Sequence, residues 1–205
     1  MTPAQKLSRE FYLRPTLEVA RDLVGKYLIY KNGAKLFSAR LVEVEAYIGE
    51  DDPACHAAVG KTERNKVMYG SGGHAYIYFI YGMYYCLNVV TERPGFPAAV
   101  LLRGAEPEEG FEYMKKNFPK GYHQKLANGP GKLCRAFGLT RRQNGLDLTG
   151  NILYLEDRGY RPARIVTTPR IGITRGADRP WRFIDAEALN NFHLRNKKRL
   201  GDSDR

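Results

Sequence analysis

The stretch from Ala75 to Val90, AYIYFIYGMYYCLNVV, constrains this chain more than any other. It is rich in β-branched and aromatic residues on both sides of one glycine, Gly82. Such runs fit a pleated strand and lose side-chain freedom in a helix. A glycine inside a β-type run marks a reversal. The sequence therefore predicts an antiparallel hairpin that breaks at Tyr81-Gly82-Met83. Hairpin tips face water and are usually polar, yet this one carries a tyrosine and a methionine. Alternation sorts the rest: Tyr76 and Tyr78 share one face, Ile77 and Phe79 the other, and Asn88 lies with Cys86 and Tyr84. A buried asparagine demands partners, from backbone or from a ligand. Six tyrosines fall between residues 69 and 85. They suit the edge of a core or a surface on which bases stack.

A second hairpin is predicted where KYLIY and KLFSARLVEVEAYIG flank an Asn-Gly turn. Within LVEVEAYI, Val42, Val44, Ala46 and Ile48 form a core face. Leu41, Glu43, Glu45 and Tyr47 form the other, either an ordinary wet face or the lining of a cleft. PAAVLLRGAEP, ILYLEDRG and ARIVTTPRIGI read as further strands, with Arg103 closing an apolar run. LEVARDLV, capped by Thr16 and closed by Gly25, reads as a helix, as do GFEYMKKNF and GKLCRAFGL. Residues 50–73 have no period, and a loop that long is functional or disordered. Hairpins with a few helices imply an α+β fold: one domain over 1–205 with a largely antiparallel sheet. The charged end, about 195–205, is expected to fray.

Lys plus Arg number 33 against 22 Asp plus Glu, a formal net charge of +11. A basic surface attracts phosphate polymers, or an acidic protein. NGPGKLC, residues 128–134, opens a helix with a glycine-rich turn. Such a turn offers N–H groups to phosphate beside Lys132, or simply starts the helix. Three scattered cysteines suit reduced thiols rather than a disulfide framework or zinc ligands. No run of about 18 apolar residues suggests a membrane span, and the N-terminus lacks the order of a signal peptide. The expectation is a cytoplasmic, unsecreted protein, nucleoid-associated in a bacterium, without a membrane partner. Cys55 beside His56 suggests a thiol nucleophile with its base, although sequence neighbours rarely face each other.

VEVEAYIGEDDPACHA, AYIYFIYGMYYCLNVV, VLLRGAEP and NGPGKLC, in this order and spacing, resemble the alkyladenine (3-methyladenine) DNA glycosylase family. The resemblance runs from ARDLVGKYL to RIGITRGADRPWRF. It implies a single compact glycosylase domain whose curved sheet has flanking helices and a protruding β-hairpin, with no cofactor or metal. It implies a monomer acting on double-stranded DNA with a damaged purine. Glu45 matches the carboxylate that activates water, and Arg103 the arginine beside it. Tyr47 matches an aromatic on one face of a flipped base, and His56 and Tyr78 its partners on the other. Asn88 matches the amide that screens purines. Tyr81 matches the residue inserted into DNA, flanked by Met83. Arg64 and Lys132 fall in segments that contact the DNA backbone. Where the family often has Thr-Pro-Arg-Asn this chain has TERN, which sets Glu63 beside Arg64.

These roles agree with the chemistry. A base must leave the stack before it can be cut, at a cost of a few kcal/mol, and an apolar wedge fills the gap. Aromatic faces hold the purine, at roughly 1–3 kcal/mol per stacked base, and favour an alkylated, cationic one. A cationic purine is already a good leaving group, so one carboxylate suffices where glycoside hydrolases use two. With no lysine marked out for Schiff-base chemistry, the reading is a monofunctional enzyme that leaves an abasic site. The alternative is a non-catalytic DNA-binding module with an intercalating hairpin, which has no use for Glu45 facing anionic DNA.

Overall fold

The strand predicted around Val44 organises the molecule. The computed structural model describes residues 3–120, 122 and 126–188; the expected frayed end lies outside them. In chain order the elements are β1 (Gln5–Lys6), α1 (Arg9–Tyr12), α2 (Thr16–Leu23), β2 (Tyr27–Asn32), β3 (Lys35–Ile48), β4 (Ala75–Ile80) and β5 (Tyr84–Val90). They continue with β6 (Ala98–Glu109), α3 (Phe111–Lys116), α4 (Pro130–Phe137), β7 (Leu153–Asp157), β8 (Ile165–Thr168) and β9 (Arg182–Asp185). All the strands join one antiparallel sheet in the order β1-β7-β2-β3-β6-β5-β4, with β9 also pairing β3 and β8 pairing β9. The fold is α+β, as expected. Three short elements, β1, α1 and β9, carry too few residues for a period and are not predicted.

The sheet divides the interior. One face packs against helices through Ile77, Leu87, Val100 and Leu102, beneath Leu23 of α2 and Phe137 of α4. Burying a side chain such as Phe137 is worth about 1.5–3 kcal/mol. The opposite face carries Tyr76, Val90 and Ala99, covered by Cys55, Ala57 and Met68. The aperiodic segment 50–73 is thus a second layer over the sheet. It is built from loop and two single 3₁₀ turns, His56–Val59 and Lys66–Tyr69.

Three local expectations need correction. Thr16 does not cap α2; Pro15 does, and the Thr16 hydroxyl instead reaches Glu92 at 2.8 Å. The β2–β3 turn centres on Gly33-Ala34 rather than Asn32-Gly33, because Asn32 pairs with Lys35. Gly33 takes the left-handed φ of +59° that the turn needs. Simple alternation also fails in β3. Leu41 lies in the helix-side core with Val44 and Ala46, since the register to β6 shifts between Leu41 and Val44. A bulge there slips the phase of the strand. The face read as either wet or cleft-lining is not wet: Glu43 and Glu45 are both buried.

Candidate active site

Five strands place one row of residues side by side. Tyr76 pairs with Asn88, Asn88 with Leu101, Leu101 with Glu45, and Glu45 with Arg182. Directly paired residues of antiparallel strands share a face. Polar and aromatic positions far apart in sequence therefore meet under the 50–73 layer. They border a cavity of about 530 Å³, within the usual range for small-molecule sites. Tyr47, His56, Tyr76, Tyr78, Asn88 and Arg103 line it.

Glu45 lies behind this wall with no exposed surface. Its Oε2 accepts the Tyr47 hydroxyl at 2.8 Å and Arg103 Nη1 at 3.2 Å. Its Oε1 accepts the backbone N–H of Ile171 at 2.9 Å. Tyr47, Arg103 and Ile171 all line the cavity, so each donor bridges the carboxylate to the open space. Arg103 sits at the β-bulge, in the stretch of β6 where Glu43 faces Gly104 and Val44 faces Leu102. The bulge turns the guanidinium onto both carboxylates, with Nε 3.1 Å from Glu43. Arg182 Nε holds the same Glu43 oxygen at 2.7 Å. Two buried glutamates and two partly buried arginines thus share one network, which offsets the cost of dehydrating each carboxylate.

The rest of the wall is aromatic. His56 Nδ1 meets the Tyr76 hydroxyl at 2.8 Å, and its ring packs edge-on to Tyr78 at 4.4 Å. Burial, then the charge of Arg64, press the His56 imidazole down to about 4. It is neutral at physiological pH and adds no positive charge to the pocket. Burial raises the Tyr76 hydroxyl to about 12 and lifts Tyr47 and Tyr78 further, so all three keep their protons. The Asn88 amide donates to Tyr76 O at 3.0 Å, which fixes its orientation.

At the mouth stands the β4–β5 tip. Tyr81 is 74% exposed and Met83 65%. Tyr81 holds φ at +53°, uncommon for a bulky residue and worth a functional explanation. Just below the tip, Tyr84 covers Gly131 of α4; a Cβ there would lie 2.8 Å from the Tyr84 ring.

Methylpurine-DNA glycosylase is the family that matches this chain, over residues 10–188. A relative from Methanocella arvoryzae is 55% identical over 87% of this chain and 92% of its own length. Relatives from Alkaliphilus oremlandii and Chlorobaculum parvum are 50% and 45% identical, over 87% and 89% of this chain and 94% and 88% of theirs. All three are provisionally named 3-methyladenine DNA glycosylases. The chain belongs to the methylpurine-DNA glycosylase family. Its enzyme class is that of a DNA glycosylase, a hydrolase of N-glycosyl bonds.

The fold brings the predicted residues of this glycosylase together, with distinctions. Tyr47, His56, Tyr78, Tyr81, Asn88, Arg103 and Lys132 line one cavity, Glu45 stands behind it, and Met83 flanks the tip. Arg64 lies beside the aromatic wall, 5.3 Å from the Tyr78 ring, and donates to Phe79 O. Glu63 pairs with Lys66 at 2.8 Å, so its charge has a partner other than Arg64. Cys55 and His56 do not form a nucleophilic pair. Burial pushes the Cys55 thiol up to about 11, its sulfur accepts from Ala57 N, and the His56 ring is engaged with Tyr76. Sequence reasoning missed the parts played by Glu43, Tyr76, Ile171 and Arg182. Glu43 and Tyr76 had a visible signal, each on a strand face shared with a predicted site residue, Glu45 and Tyr78; Ile171 and Arg182 had none.

Proposed function

We propose that this glycosylase flips alkylated or deaminated purines out of duplex DNA and hydrolyses their N-glycosidic bond with a water activated by Glu45. The observation that carries the reading is the arrangement of donors on Glu45. A carboxylate offers roughly four lone-pair positions. Tyr47 and Arg103 take those of Oε2, and Ile171 takes one of Oε1. Among the described residues no other donor reaches Oε1, and a water admitted between Tyr47, Arg103 and Ile171 would take its remaining position. Glu45 accepts a proton from that water while its oxygen bonds to C1′ of the sugar. The electrons of the C1′–N bond leave with the base. The products are a free purine and an abasic sugar, and Glu45 then returns its proton to solvent or to the departing base. Arg103 holds the carboxylate in place, and the buried negative charge favours the oxocarbenium-like sugar.

Tyr47 would cover one face of the base, and His56 with Tyr78 the other. A neutral imidazole beside three protonated tyrosines leaves the pocket tolerant of a cationic purine. Asn88, anchored through its amide nitrogen, would test the base edge and reject ordinary guanine. Tyr81 would fill the vacated stack, with Met83 against the neighbouring base pair. Lys132 and Arg64 would meet backbone phosphates. Lys132 belongs to the cavity wall but leans over Tyr122, 5.7 Å from its ring, and is not given a Schiff-base role.

The experiment is incubation with duplexes that each carry one damaged purine, followed by alkali to cleave abasic sites. The expected result is excision without a nick before alkali, and a drop of about 10²–10⁴-fold in Glu45→Gln with DNA binding retained. Excision at the normal rate by that variant would remove the water-activation role. A covalent adduct trapped by borohydride would remove the monofunctional assignment.

A further inference from the structure

The segment after β8, residues 169–176, has no regular structure. It nevertheless supplies the N–H that Glu45 accepts, and Ile171, Gly172 and Ile173 to the cavity wall. Without a strand ladder, such a segment must be held by side chains. Arg170 does this. Its side chain is fully buried, and its two terminal nitrogens donate to the two oxygens of Asp52 at 2.6 and 2.8 Å. The same nitrogens donate to Ala46 O at 2.9 Å and Gly176 O at 3.0 Å. The guanidinium lies 4.7 Å from the Tyr47 ring and 5.0 Å from the Trp181 ring. Asp52 in turn accepts the N–H groups of Ile48 and Ala54, each at 3.2 Å. One fork therefore grips the residue before Tyr47, the Tyr47 ring, the loop leading to His56, and its own segment.

A buried ion pair is weak support for stability as such, since well-packed apolar residues would serve as well. What the fork adds is direction. A planar guanidinium binds both carboxylate oxygens and stacks on a ring, which lysine cannot do. We propose that Arg170 and Asp52 are positioning residues of the glycosylase: they hold the Ile171 N–H on Glu45 Oε1 and support the Tyr47 ring beside the cavity. The inference rests on reading Glu45 as the base. Around Glu45 stand Tyr47 on its own strand, Arg103 on β6, Arg182 on β9 and Arg170 in the segment, with Glu43 on the far side of Arg103. A backbone N–H favours the charged form of a carboxylate. Releasing the segment withdraws that donor while the others on Glu45 stay.

The test is single-turnover excision of hypoxanthine from duplex DNA across pH 5 to 9 in Asp52→Asn, Arg170→Lys and Glu45→Gln, with DNA affinity measured alongside. Asp52→Asn keeps the shape of the site and serves if Arg170→Lys fails to fold. Both fork variants are expected to be about 10- to 100-fold slower at neutral pH, as for a misplaced reacting group. Their affinity for DNA should be unchanged. The acid limb of the rate profile should move to higher pH, the direction expected when a donor to the carboxylate is withdrawn. A slower rate with the acid limb unmoved, or an undiminished rate, overturns the proposal while Glu45→Gln stays inactive. Full activity in Glu45→Gln overturns it together with the base reading, and that result identifies which assumption failed.

Discussion

The two ends of the β4–β5 hairpin obey opposite rules. At the root, Tyr76 is buried, its hydroxyl meets His56 and its carbonyl takes the Asn88 amide. At the tip, Tyr81 has the same side chain in the solvent, on backbone turned into the left-handed region. Root tyrosines contribute to stability and shape the cavity. The tip tyrosine contributes no core contact and sits in a strained conformation, costing roughly 1–2 kcal/mol. One ribbon thus holds a rigid base and an exposed tip, the proposed wedge. Stiffness at the root is what would let the tip push into DNA without folding back.

The contrast can be broken or sharpened by experiment. The largest effect is expected from Tyr76→Ala, which should cost about 3–5 kcal/mol of stability by opening a cavity, read from urea denaturation. Tyr81→Asn should leave stability unchanged or raise it, because asparagine tolerates left-handed backbone. It should slow excision about tenfold, part of the few kcal/mol of unstacking that the wedge offsets. If both variants lose stability alike, the tip belongs to the core and the contrast fails.

A smaller effect follows from pH. The folded protein holds the His56 imidazole near 4 against an ordinary 6.5, so the unfolded chain takes up a proton first. The stability from a neutral His56 is complete above pH 6.5 and is lost as pH falls towards 4. Urea midpoints at pH 7.5 and 4.5 should therefore differ more in the wild type than in His56→Gln; an equal difference would mean that other groups titrate instead. Smallest is Lys132→Ala, expected to lower the slope of log affinity against log salt by about one. An unchanged slope would take Lys132 off the phosphate path.

Periodicity made much of this protein legible. Both hairpins, the opposing faces of Tyr76 and Ile77, and the company of Asn88 with Cys86 follow from alternation alone, because a strand repeats every two residues whatever surrounds it. The exposed tip was visible as two bulky residues around Gly82. Glu45 and Tyr47 were legible as one face. That the face is dry was not, because Glu43 and Glu45 are closed over by Arg103, Ile171 and Arg182, which lie far off in the sequence and follow no period shared with β3.

The sequence by itself determined which residues could carry the chemistry and on which face of its own strand most of them lie. Only the tertiary structure decided which of them meet. Arg103 reaches Glu45 because a bulge shifts the register of β3 against β6, and a register shift leaves no mark on either strand read alone. Ile171 and Arg170 reach the site from more than a hundred residues away, through one backbone N–H and one guanidinium. An N–H is common to nearly every residue, so the sequence cannot single out the one that Glu45 accepts.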